Sequence, residues 1–174
     1  MRLEETPEKQ ATELRLRYWT EDNFPVDPVT IATRLGVKVL RSTFRSEVAG
    51  GLVQSAGTDP TIVIDEHDSD GRKRFVVAYA LGLFLYRTTR QVPSPELSAD
   101  LVIQRAELLG EHDGDAEDFA FRFACELIMP IRRLGRFGRY RGQSAIALAK
   151  HFGVPIDILE RRILLLRPAD GSGS

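Results

Sequence analysis

The sequence predicts a mixture of helices with one small antiparallel sheet, and three observations predict it. Three short β-like runs, residues 37–40, 51–54 and 61–64, follow one another with turn signals between them, Ala49-Gly50-Gly51 and Ala56-Gly57-Thr58-Asp59-Pro60. The segment 72–86 is apolar nearly all round, the pattern of a helix covered on every side. The segments on either side of these read as helices with recognisable starts and stops.

Taken in order, Leu14, Leu16, Tyr18 and Trp19 in a Glu/Arg background mark an N-terminal helix that ends at the polar stretch 20–23. Asp27 then caps a helix whose first position is Pro28 and whose end is Gly36, with Ile31, Ala32 and Leu35 as its apolar face. The three strands come next. A polar loop, 65–70, leads into the central helix, and a loop rich in Pro and Ser, 92–98, leads to a helical stretch over 99–109. An acidic loop, 110–115, precedes a helix over 116–128 that Pro130 stops. Two helical runs, 143–152 and 156–166, are joined at Gly153-Val154-Pro155. The expected organisation is a main domain over 1–130, a basic segment and helix pair over 131–168, and a small polar tail over 169–174.

A chain of 174 residues with 43% hydrophobic and 28% charged content suits one main domain with a small appendage. The formal net charge of -1 gives the molecule as a whole no pull toward a polyanion. Cys125 is the single cysteine, which excludes an intramolecular disulfide and a multi-cysteine zinc site and points to a reducing compartment, the cytoplasm. The charged start Met1-Arg2-Leu3-Glu4-Glu5 lacks an apolar signal core, and no stretch is long and apolar enough to span a bilayer, so no membrane association is expected.

A His-Glu-x-x-His on a helix sets two imidazoles one turn apart for zinc, with a glutamate beside them to take a proton from metal-bound water. The run Arg74-Phe75-Val76-Val77-Ala78-Tyr79-Ala80-Leu81-Gly82-Leu83 has the frame of such a helix without its chemistry. With Asp27-Pro28, Ile31-Ala32, Leu35-Gly36-Val37, Ala49-Gly50-Gly51 and the ending Phe123-Ala124-Cys125-Glu126-Leu127-Ile128-Met129-Pro130, in this order and spacing, it resembles the ImmA/IrrE family of zinc metallopeptidases. That resemblance implies an α+β, zincin-like peptidase fold, a small sheet packed on helices with a helical C-terminal extension. It places Tyr79 and Leu83 at the two zinc histidines, Ala80 at the general base and Phe119 at the third ligand. These four are vestigial positions: no catalytic residue, metal or cofactor is expected, since apolar infill is the physical fate of an abandoned polar site.

Zinc has no evident substitute site. His67, His112 and His151 lie far apart and lack partners at ligand spacing, and His112 among Glu111, Asp113 and Asp115 reads as a solvated acidic loop. Glu117 and Asp118 flank Phe119 but point elsewhere around a helix, and Cys125 reads as a core thiol. Arg132, Arg133, Arg136, Arg139 and Arg141, interleaved with Phe137 and Tyr140, form the one basic cluster, a candidate surface for an acidic protein or for nucleic acid. Its bland reading is a solvated linker paired with the nearby acidic loop. The stretch 145–163 resembles a helix-turn-helix, with Ala149 at the crossing, Gly153 in the turn and Leu159 inside, but its second helix offers Asp157 and Glu160 beside Arg161 and Arg162.

Active relatives cleave helix-turn-helix repressors in phage, mobile-element and stress regulation. The resemblance therefore implies a non-enzymatic regulatory protein whose partner is such a repressor or an active peptidase relative. The alternative is a DNA-binding regulator that uses residues 132–141 and the C-terminal helices.

Overall fold

The structure, a computed structural model, describes residues 5–20, 22–90, 100–138 and 144–167, and the backbone alone for 136–138. Among these residues it is α+β, with seven α-helices, one short 3-10 helix and a four-stranded sheet. Helix α1, Pro7–Tyr18, starts where the Thr6 hydroxyl accepts from the Lys9 amide and Pro7 fills the first turn. Helix α2, Pro28–Arg34, is capped by Asp27, which accepts from the Val29 amide at 3.0 Å and the Thr30 hydroxyl at 2.9 Å. Gly36 follows at φ 76°, a left-handed turn that any other residue adopts only with strain.

The sheet runs β1 (Lys38–Ser42), β3 (Thr61–Asp65), β2 (Val48–Val53) and β4 (Leu101–Gln104) across its width. Three of these strands are the expected ones. The sheet is mixed, however: β2 pairs antiparallel with β3 and β4, while β1 pairs parallel with β3, Lys38 opposite Thr61. The physical reason is that β2 inserts itself on the far side of β3, so β1 and β3 meet as neighbours without a hairpin between them. The expected helix over 99–109 is corrected as well. Leu101–Gln104 alternates exposed and buried side chains and pairs with β2, and only Arg105–Leu109 is helical, as a 3-10 turn closed by Gly110 at φ 78°.

Helix α3, Asp70–Thr89, crosses this sheet, and its side chains from Phe75 to Leu83 are buried without interruption. It lies close because β2 is built of small residues there: a Cβ on Gly50 would run into the Val63 carbonyl and meet Val76 Cγ1 at 2.9 Å. Its other side packs on α4, Asp115–Ile128, where a Cβ on Gly82 would meet the Ala120 Cα at 2.7 Å. Helix α1 packs against α4 in turn, and Arg122 grips Glu8 at 2.7 and 3.0 Å.

Helix α5, Ile131–Gly138, follows Pro130 directly, and its first amide is accepted by the buried Glu126 carboxylate at 3.2 Å. Helices α6, Ala145–Phe152, and α7, Ile156–Leu166, form the expected pair around Gly153 in a left-handed turn. The pair is fastened to the start of α3: Arg72 donates to Asp157 at 3.1 Å and Arg74 to the Gly153 carbonyl at 2.5 Å. No helix among the described residues is long and apolar enough to cross a membrane.

The contact at Gly82 carries a direct test. Gly82→Ala forces α3 and α4 apart at their closest point, and urea unfolding should show a loss of about 1–3 kcal/mol despite the higher helix propensity of alanine. Unchanged or increased stability would mean that the two helices can shift freely there.

Candidate functional site

Residues 79–83 occupy the middle of α3, where the sheet covers one side of the helix and α4 the other. Tyr79 is 0% exposed, as is Ala80, and Leu83 is 3% exposed. A tyrosine can be buried only if its hydroxyl finds an acceptor, and here it donates to Glu107 Oε2 at 3.0 Å. Glu107 comes from the 3-10 turn after β4, so the turn delivers a carboxylate over the helix at the one polar atom in this stretch.

The surroundings raise the pKa of both groups. Burial pushes the Tyr79 hydroxyl far above its ordinary range, and the Glu107 and Glu117 charges add to that. Glu107 is raised as well, first by burial, with Glu117 acting in the same sense, while a backbone hydrogen bond, the Tyr79 hydroxyl and His112 oppose it. Glu117 folds back over Gly114 at the N-terminus of α4, so its charge is felt by the pair although its helical position suggested otherwise.

Phe119 sits one turn further along α3 than Leu83, its ring 5.5 Å from Tyr86 and stacked on Phe123 at 6.4 Å, with the Arg90 guanidinium 5.7 Å from its centre. Phe119 thus meets α3 at Tyr86, and the hydrogen-bond partner of Tyr79 is Glu107. Sequence reasoning missed Glu107. The available signal was that a tyrosine inside an otherwise apolar helix demands an acceptor, but several acids, Asp70 and Glu96 among them, lie nearer in sequence than Glu107.

As a zinc site, these residues do not fit. A phenol driven away from ionisation, a methyl and an isobutyl group stand where two imidazoles and a base are needed, and Phe119 offers a ring for a carboxylate. Among the described residues, no three His, Cys, Asp or Glu side chains are grouped to hold a metal ion. Cys125 is buried and its thiol is pushed up to about 12, mainly by burial, which leaves it inert as a nucleophile near neutral pH.

The basic cluster is only partly described. Arg132 is exposed, whereas Arg133 is half-buried, paired with Asp22 and lying over the Phe24 ring at 5.6 Å. The Arg136 side chain and all of Arg139 and Arg141 lie outside the described residues. In the helix pair, Arg162 does not face outward as a groove-reading side chain would. It is 6% exposed and donates to Glu126 at 2.6 Å.

An α+β chain in which a small mixed sheet is crossed by a helix bearing the frame of a metallopeptidase motif defines the class: a zincin-like peptidase fold. The chain belongs to the IrrE N-terminal-like domain family, Peptidase_M78, whose profile matches residues 32–164. No curated protein matches the chain.

Glu107 supplies the test of this geometry. An acid whose folded pKa is raised stabilises the fold fully below its unfolded pKa, and that contribution is lost as pH rises through the folded value. Glu107→Gln should therefore flatten the fall in stability as pH rises above the ordinary carboxylate range, read by urea unfolding at a series of pH values. Parallel wild-type and variant curves would show that the fold does not raise the pKa of Glu107.

Proposed function

We propose that the protein is a catalytically inactive, peptidase-like regulatory protein that acts by binding another protein, a helix-turn-helix repressor or an active peptidase relative, in phage, mobile-element or stress regulation. The observation that carries this reading is Tyr79, buried at the first motif position with its hydroxyl committed to Glu107. Hydrolysis of a peptide needs an activated water and a polarised carbonyl, and positions 79, 80 and 83 supply neither a metal donor nor a base. The apparatus around them is kept. The small residues under α3, the capped helices and the fastened α6–α7 pair all preserve the family fold, which supports recognition without cleavage.

DNA binding through residues 132–141 and the helices α6 and α7 is less well supported. Of the four groups that α7 would offer a groove, Arg162 is used in packing, Asp157 is taken by Arg72 and Glu160 is acidic, leaving Arg161. The acidic loop before α4 adds repulsion for a duplex.

Purified protein dialysed against zinc should hold far less than one metal per chain and should leave intact the helix-turn-helix regulator encoded nearest to it, with which it comigrates on size exclusion. Tyr79→His alone should not restore metal and should lower stability by about 1–3 kcal/mol, because it removes the hydroxyl donor to Glu107. One firmly held zinc per wild-type chain, or fragments of the regulator in a mass spectrum, would overturn the proposal.

A further inference from the structure

Among the described residues, strand β1 pairs only with β3 and forms one edge of the sheet, on the side opposite β4 and its Glu107 turn. The Lys38 amide donates to the Pro60 carbonyl and the Ser42 carbonyl accepts from the Glu66 amide, both at 2.9 Å. In the alternation of a parallel ladder, Lys38, Leu40 and Ser42 therefore bond to β3, and the N–H and C=O groups of Val39 and Arg41 point away from the sheet. No described residue pairs with them. Exposed edges are ordinarily blunted by bulges, by proline or by very short strands, yet β1 runs for five residues in unbroken register and contains no proline.

The side chains around this edge narrow what fits it. From Pro28 to Ser46 the chain carries four basic residues, Arg34, Lys38, Arg41 and Arg45, and no acid. Lys38 is held by Asp59 at 3.0 Å, whereas Arg34, Arg41 and Arg45 are exposed and have no carboxylate partner among the described residues. Glu66, just beyond the strand pair, accepts from the Thr43 hydroxyl at 2.7 Å. Arg41 lies in register with Ile64 on the sheet face that carries α3, and Leu40 lies on the opposite face, 56% exposed. On that face Leu40, Val63, Gly51 and Val102 align as one row across all four strands, with no polar side chain in it. The basic charge repels a second copy of the same edge and selects an acidic strand. A nucleic acid would answer the charge but not the free backbone groups or Leu40. We propose that the β1 edge binds an extended acidic segment of a partner protein, added to the sheet as a further strand. Its acidic side chains face Arg41 and its apolar ones continue the row that begins at Leu40.

This proposal rests on the reading that the protein acts by binding another protein, and adds where it binds and what chemistry the partner brings. The probe is a fluorescein-labelled peptide of about eight residues that alternates glutamate with valine, titrated with the full chain by anisotropy at low salt. It should bind saturably and weaken as salt rises. Two control peptides, one with lysine for every glutamate and one with every backbone nitrogen methylated, should bind about tenfold more weakly or worse. The first reverses the charge and the second removes the strand donors. Arg41→Glu should weaken the acidic peptide by a similar factor while leaving Tm near wild type, because the replaced side chain is exposed and unpaired among the described residues. The control peptides on the wild-type chain decide the matter even where the variant folds poorly. Failure of the peptide to bind, with the regulator still comigrating, removes the β1 edge alone; a bound peptide without comigration removes the wider reading instead. The proposal is overturned by absence of saturable binding of the acidic peptide, by equal binding of either control, or by a folded Arg41→Glu that binds as wild type does. A short DNA duplex that binds more tightly than the peptide, and loses that binding in Arg41→Glu, overturns it too.

Discussion

Helix α3 has no face it can present to water between Phe75 and Leu83, and the rest of the fold is arranged to meet that demand. Burying a helix on all sides requires two partners at close range, which in turn requires small residues where backbones meet. Gly50 supplies one approach on the sheet side and the Gly82–Ala120 contact the other. These positions cannot be enlarged without moving whole elements, so they fix how closely α3 approaches the sheet and α4. Between α3 and α4, Phe75 meets Phe121 and Tyr86 meets Phe119, each edge to face.

Around this apolar centre, arginines fix the positions of the outer elements. Arg105 reaches Asp65 at 2.9 Å and Asp68 at 2.6 and 2.7 Å, tying the end of β4 to the turn after β3. Arg72 and Arg74 do the same between the start of α3 and the α6–α7 turn. The buried Glu126–Arg162 pair is different in kind, because both charges have lost most of their water and the attraction mainly repays that cost. Glu126 also accepts from Ile131, so one carboxylate sets the start of α5 and the seating of α7 together. Replacing either partner alone would strand a charge, which makes the pair a determinant of where the C-terminal helices sit more than a source of net stability.

What the sequence discloses and what it hides follow from the range of the interactions. Asp27 and Pro28, the left-handed glycines at 36 and 153, and the continuous apolar run of α3 are local or strongly periodic, and each is legible. Strand β4 is not: Leu101-Val102-Ile103-Gln104 is too short to separate a strand from a helical turn, and it becomes a strand because β2 offers it an edge. The parallel pairing of β1 with β3 depends likewise on β2 leaving the space between them, which no local pattern records. The family resemblance of the run 74–83 is legible residue by residue, but Glu107 as the acceptor for Tyr79 is a contact across 28 positions. Arg162 misled for the opposite reason, since an arginine in a helix is ordinarily solvated and only its meeting with Glu126 draws it inside.

The charges near position 79 account for the side chain found there. A cation held between carboxylates offsets their mutual repulsion, and without one the acids must separate, protonate or find donors. In this chain the acids separate and find a donor. Glu117 folds back toward the start of α4, where the helix dipole favours a negative charge, Glu107 is raised by burial toward its neutral form, and Tyr79 turns its hydroxyl onto it. Histidine at 79 next to alanine and leucine would offer Glu107 an imidazole that has to be buried neutral or paired, whereas tyrosine delivers one donor and an apolar ring to a site with one acceptor. The side chain at position 79 is thus matched to the carboxylate beside it, and the match is one of hydrogen bonding within a packed core.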